Sequence, residues 1–260
     1  MPVATQAQVG LSTVVATRYV TPLREGGSLP GLMEADDDGL YVVKFRGAGQ
    51  GVKALVAELL AGELARRLGL DVPELVLVEL DPALGRAEPD PEIQDLLDAS
   101  PGLNLGVDFL PGALSYDAAD GGEAVSPDLA AEIVWFDALV ANVDRTPRNP
   151  NLLLWHQRLW LIDHGAAVYH QHASGDLASQ ARAPFPAIRE HVLLPHAGSI
   201  IDADRRLAPR IHAEMVQELA ALIPREWQEH PSGAYAAWLE RRLAEPRVFA
   251  QEAEDARAGQ

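Results

Sequence analysis

Asn142-Val143-Asp144-Arg145-Thr146-Pro147-Arg148-Asn149-Pro150-Asn151-Leu152-Leu153-Leu154 is the stretch on which the reading of this chain turns. It follows an apolar segment, 127–141, opened by Pro127, where Ile133, Val134, Phe136, Leu139 and Val140 predict a deeply buried helix. It precedes two short apolar runs, 152–155 and 159–162, that read as strands around a turn at Gln157-Arg158. Asp163-His164-Gly165 ends the second run. An Asp, an Asn a few residues on, a hairpin and a second Asp form a pattern with a chemical rationale. Phosphoryl transfer from ATP needs a carboxylate to orient the attacking hydroxyl, and oxygen ligands for Mg2+, usually an Asp with an Asn. Asp144 is then the base-like residue and Asp163 a metal ligand, with the hairpin setting the distance between them.

Upstream of this stretch, the basic residues carry a second clue. The chain has 21 Lys and Arg, and only Lys44 and Lys53 are lysines. Lys44 ends Leu40-Tyr41-Val42-Val43-Lys44, a segment that reads as a buried strand through Phe45. A buried ammonium is costly unless paired. On a strand it can bind the α/β-phosphates of ATP, provided a helical glutamate holds it from behind. The next helix, 53–69, stopped by Gly69, offers two. Glu58 lies on its small-residue side, with Ala54, Ala57, Ala61, Gly62 and Ala65; Glu63 lies within the apolar stripe. The turn Gly26-Gly27-Ser28 could present backbone N–H groups to phosphate.

The remaining segments complete the outline. Strands are expected at 13–20, 75–80 and 103–110, an acidic turn at 34–39, a short helix at 92–99 and a loop over 111–127. Beyond residue 185 helices are expected near 188–194, 200–207, 210–222 and 233–243, with the last ten residues fraying. This order predicts an α+β fold, with a sheet-rich N-terminal lobe over 1–110 and a mainly helical C-terminal lobe over 111–260.

The set Val42-Val43-Lys44-Phe45, the helix exit of residues 63–73 (ELARRLGLDVP), Asn142-Val143-Asp144-Arg145 and Leu161-Ile162-Asp163-His164-Gly165 resembles the HipA-like kinases. These share the two-lobed protein-kinase-like fold with lipid kinases of the phosphatidylinositol type. The resemblance covers roughly residues 13–170. It implies that Glu58, one and a half turns into its helix, is the partner of Lys44. It implies Mg-ATP between two lobes, with 103–110 as the hinge, so that Asp108, Phe109 and Leu110 meet the nucleotide. In the family pattern the metal-binding Asn lies five residues after the catalytic Asp, which gives Asn149, but it also abuts the following strand, which gives Asn151. The acceptor hydroxyl, on a protein Ser/Thr or a small molecule, does not follow. A nucleotide-binding pseudokinase without turnover is the alternative, and a protein partner, as in toxin systems with a DNA-binding component, is compatible with the resemblance.

Composition narrows the partners. With 38 Asp and Glu against 21 Lys and Arg, the formal charge is −17, which opposes direct nucleic-acid binding and docking on anionic membranes. There is no cysteine, hence no disulfide framework. No segment approaches ~20 apolar residues and the first twenty lack a signal-peptide pattern, so a cytoplasmic location is expected. Arg145 and Arg148 break the acidic trend beside the proposed site, where they could offset phosphate or form loop ion pairs. Lys53 reads as a solvent-face residue, the histidines at 164, 170 and 172 as a weak zinc set, and the five tryptophans as packing.

Overall fold

In the computed structural model the described residues are 10–23, 29–117, 125–173 and 175–259. Five strands close a barrel in the order β1-β2-β3-β5-β4: β1 (Thr13–Pro22), β2 (Gly31–Ala35), β3 (Leu40–Lys44), β4 (Leu75–Leu80) and β5 (Gly102–Asp108). Four of the pairings are antiparallel, and the barrel closes through a parallel pairing in which Val14 faces Val78. Period-two alternation decides which side chains fill it. In β3, Tyr41 and Val43 point inward with Met33, Phe45, Val76 and Val78, which puts Lys44 on the outer face. The interior is narrow at Gly106, where a Cβ would meet Val78 Cγ2 at 2.6 Å.

Helix α1 (Gly51–Leu68) lies between β3 and β4 in sequence and packs on the outer face, its Leu55, Leu59 and Leu64 in one apolar cluster with Leu75, Leu105 and Val107. Its small side admits close approach: a Cβ at Gly62 would meet Leu75 Cδ1 at 2.7 Å. Gly69 ends it in the left-handed conformation, φ 84°, its N–H and that of Leu70 closing onto the last turn. A short helix, α2 (Pro91–Asp98), covers one end of the barrel with Ile93 and Leu97.

The second half centres on α3 (Pro127–Val140), capped by Ser126 Oγ, which accepts the Leu129 N–H at 3.2 Å. Ten of its residues are buried, and α4 (Ile200–Leu207), α5 (Ala213–Ala221), α6 (Ser232–Leu243) and α7 (Val248–Ala258) gather in the same apolar cluster. A three-stranded sheet, β6 (Leu114–Ser115), β7 (Leu152–Trp155) and β8 (Arg158–Leu161), lies beside them.

Several expectations need correction. β2 is a strand, and the acidic turn is confined to the residues after Ala35. The stretch 188–194 forms short 3-10 turns, and Pro195, with no N–H to donate back to His191, bars a continuous helix there. The C-terminal residues form α7, with Phe249, Ala250 and Ala253 buried, where fraying was expected. Among the described residues no helix is long and apolar enough to cross a membrane.

Candidate active site

Lys44 leaves the outer face of β3 toward α1. Its Nζ lies 2.5 Å from Glu58 Oε2 and 2.5 Å from Asp163 Oδ1. Glu58 is fully buried, whereas the Asp163 side chain is 41% exposed, so the ammonium spans the wall of the core and its opening. Burial alone would raise the Glu58 carboxyl, but the charge of Lys44, aided by His164, outweighs it and holds the group at about 2. Burial alone would lower the Lys44 ammonium, and the two carboxylates outweigh that and raise it. Glu63 does not reach this pair; its Oε1 lies 3.6 Å from Arg66 Nε, and burial raises its carboxyl.

A pocket opens here, lined among others by Lys44, Gln50, Gly51, Ala54, Asp163 and Gly165. Helix α1 therefore presents its N-terminus to the pocket. Gln50 makes no side-chain cap bond, and the first turn has no acidic residue. The Gly51 N–H donates to Ala48 O at 2.8 Å, and a helix N-terminus without a side-chain cap attracts anions. In the sequence the signal for this feature is Gly47, Gly49 and Gly51, which lead into the helix.

The loop from Asn142 to Asn151 carries the remaining candidates. Asn149 Nδ2 donates to Asp144 Oδ2 at 2.7 Å, and Asn151 Nδ2 to the same oxygen at 3.3 Å. The Asp144 N–H donates to Asn142 Oδ1 at 3.2 Å. Asn151 and Asp163 are both left-handed, φ 49° and 53°, a conformation that Asn and Asp tolerate better than most residues. The hairpin brings the two segments together, with the Ile162 N–H donating to the Asn151 carbonyl at 3.1 Å. His164 is fully buried with its Nδ1 3.5 Å from Glu58 Oε1, and its ring meets Phe136 edge-on.

Other candidates fall elsewhere. Arg145 is buried against Asp137 and does not face the pocket, because its side chain turns into the core; Arg148 is exposed. Lys53 pairs with Glu229 at 3.3 Å. His170 packs near Trp238, and among the described residues no three His, Asp or Glu side chains form a ready metal cage. At the expected hinge, the Asp108 N–H donates to Glu74 O and that of Phe109 to Leu40 O, so both serve the sheet; Leu110 is buried. Gly26, Gly27 and Ser28 lie outside the described residues.

The sequence profile of the HipA-like kinases matches residues 17–241, which include the whole of this arrangement. The chain belongs to the HipA-like kinase family. Among solved structures, the Helicobacter pylori proinflammatory kinase CtkA superposes with a TM-score of 0.55 at 14% identity, over 92% of this chain and 97% of that one. That likeness shows a kinase-like fold for this family member. No curated protein matches the chain.

Proposed function

We propose that the chain is a two-lobed kinase, divided near residue 110, that moves the γ-phosphoryl group of ATP to a hydroxyl acceptor with Mg2+. The observation that carries this reading is the Lys44 ammonium held between Glu58 and Asp163 at 2.5 Å each. Glu58 fixes the ammonium, and Lys44 meets the phosphates beside the N-terminus of α1. Asp144 accepts the hydrogen bond of the acceptor hydroxyl and orients its oxygen toward the γ-phosphorus.

The donor set fits Mg2+. Asp163 is half-exposed at the pocket and Asn149 is exposed on the loop, and both supply hard oxygens. A carboxylate with an amide suits an ion that takes its remaining ligands from substrate phosphates and water. Bound there, the ion would neutralise charge on the transferred phosphoryl group. Spacing from Asp144 favours Asn149 as the companion of Asp163. The backbone of Asn151 is engaged from within the core by Arg145, which supports a positioning role for it. With the Asp108 and Phe109 amides serving the sheet, a purine at this segment would be met by carbonyls and side chains.

The acceptor is a Ser/Thr hydroxyl of a protein or the hydroxyl of a small molecule. The test is transfer of labelled γ-phosphate from Mg-ATP to the chain itself or to added protein. Wild type should transfer, and Asp144→Ala should lower the rate about 10²–10⁴-fold. Nucleotide binding with no transfer by wild type would instead make the chain a regulatory module.

A further inference from the structure

The loop that carries Asp144 also carries a side chain that the proposed chemistry does not use. Arg145 is among the largest fully buried side chains of the molecule. Its Nε donates to Asp137 Oδ2 of α3 at 2.5 Å. Its Nη1 donates to two backbone carbonyls, those of Asn151 and Ile162. Asn151 ends the loop where β7 begins, and Ile162 directly precedes Asp163. One nitrogen thus touches both segments that bear the proposed ligands, at or next to the residue where each turns left-handed.

The anchor of this guanidinium is itself fixed. Asp137 Oδ1 accepts Asn142 Nδ2 at 3.0 Å, and Asp137 Oδ2 meets His191 Nε2 at 2.9 Å. His191 Nδ1 accepts the Leu193 N–H at 3.1 Å, so Nε2 bears the ring proton and donates. Asn142 Oδ1 in turn receives the Asp144 N–H. Asp137 therefore acts on the site along two branches, through Asn142 to Asp144 and through Arg145 to Asn151 and Ile162. The Val192 N–H closes the cluster on the Arg145 carbonyl at 3.0 Å.

We infer that Asp137 and Arg145 are positioning residues, which set the separation and orientation of the Asp144–Asn149 loop relative to Asp163. The kinase reading supplies the function of the spacing they set. Two features make the role specific. A buried ion pair adds little net stability over an apolar pair of similar volume, so its presence calls for another account. A planar guanidinium can hold a carboxylate with one edge and carbonyls with another, whereas lysine offers a single nitrogen.

The test uses Arg145→Lys in the full chain, with Mn2+ and a nonhydrolysable ATP analogue as probe. Calorimetry gives the affinity for the metal–nucleotide pair and for the nucleotide alone, and hydrogen exchange reports the Ile162 amide. The expected result is a loss of about 10–100-fold in affinity for Mn–nucleotide. Affinity for the metal-free nucleotide stays near wild type, and exchange at Ile162 becomes faster. A folded Arg145→Lys with wild-type Mn–nucleotide affinity and wild-type protection at Ile162 overturns the inference. Should that variant fail to fold, His191→Phe keeps the Arg145–Asp137 pair while removing one donor to Asp137. It should show the same metal-selective loss in smaller measure, and equality with wild type overturns the inference. A wild type that binds no Mn–nucleotide overturns the kinase reading instead. The Ile162 amide then decides the positioning role: faster exchange in Arg145→Lys supports it, and unchanged exchange overturns it.

Discussion

Lys44 shares its ammonium between a buried and a half-exposed carboxylate, and this asymmetry makes its environment testable. The Glu58 carboxyl is lowered from 4.5 to about 2, so its contribution to stability is complete above 4.5 and fades as pH falls toward 2. Lys44 is raised above 10.5, so its contribution is complete below that value and fades only as pH rises beyond it. Glu58→Gln should therefore cost about 3 kcal/mol at pH 7, since Asp163 still partners the lysine. Thermal unfolding of wild type and variant should show a constant gap from pH 5 to pH 9 that narrows below 4.5. A gap that persists unchanged at pH 3 would contradict the pairing. The two asparagines separate in the same way: Asn149→Ala should raise the half-activating Mg2+ concentration about tenfold or more. Asn151→Ala should raise it less, because its backbone contacts survive. The reverse order in a Mg2+ titration would exchange their roles.

At the level of elements, much was legible because periodicity and spacing are local. The apolar stripe of α1, the buried run of α3 and the paired runs of β7 and β8 gave these elements within a residue or two. Asp144, Asn149 and Asp163 could be singled out because a hairpin of fixed length joins them. What escaped depends on distant partners. β2 is five residues long and is held by β1 and β3 on either side, so its own sequence carries little strand signal. Helix α7 has a polar sequence, yet Phe249 packs on Trp135 at 5.7 Å and Arg247, just before the helix, grips Asp204 through Nε and Nη2. Phe249→Ala should destabilise the protein by about 3–5 kcal/mol in a denaturant titration. A loss under 1 kcal/mol would mean that α7 does not contribute to the core. Asp137 escaped too, although a carboxylate inside the apolar run 133–140 of α3 is a signal, because such a group is rarely fully buried without partners.

For the molecule as a whole, the apolar cluster around α1 continues through β4 and β5 into α3 and the C-terminal helices. Polar bonds cross the same boundary: Trp227 Nε1 donates to Leu103 O at 3.0 Å, and Glu226 accepts from both the Leu103 N–H and Arg46. The Leu161 N–H donates to Asp71 O at 2.8 Å. The barrel and the helical part should therefore unfold together, in one calorimetric transition. Two resolved transitions, of which nucleotide shifts only one, would contradict a shared core. The chain's formal charge of −17 surrounds a site in which one of its two lysines stands against two carboxylates. In the proposed function, ATP phosphates entering so acidic a protein would be met by that cation and the N-terminus of α1. The most direct test is calorimetric titration of a nonhydrolysable ATP analogue with Mg2+ into wild type and Lys44→Ala. Wild type should bind and the variant should bind at least about tenfold more weakly; equal binding by both would contradict the account.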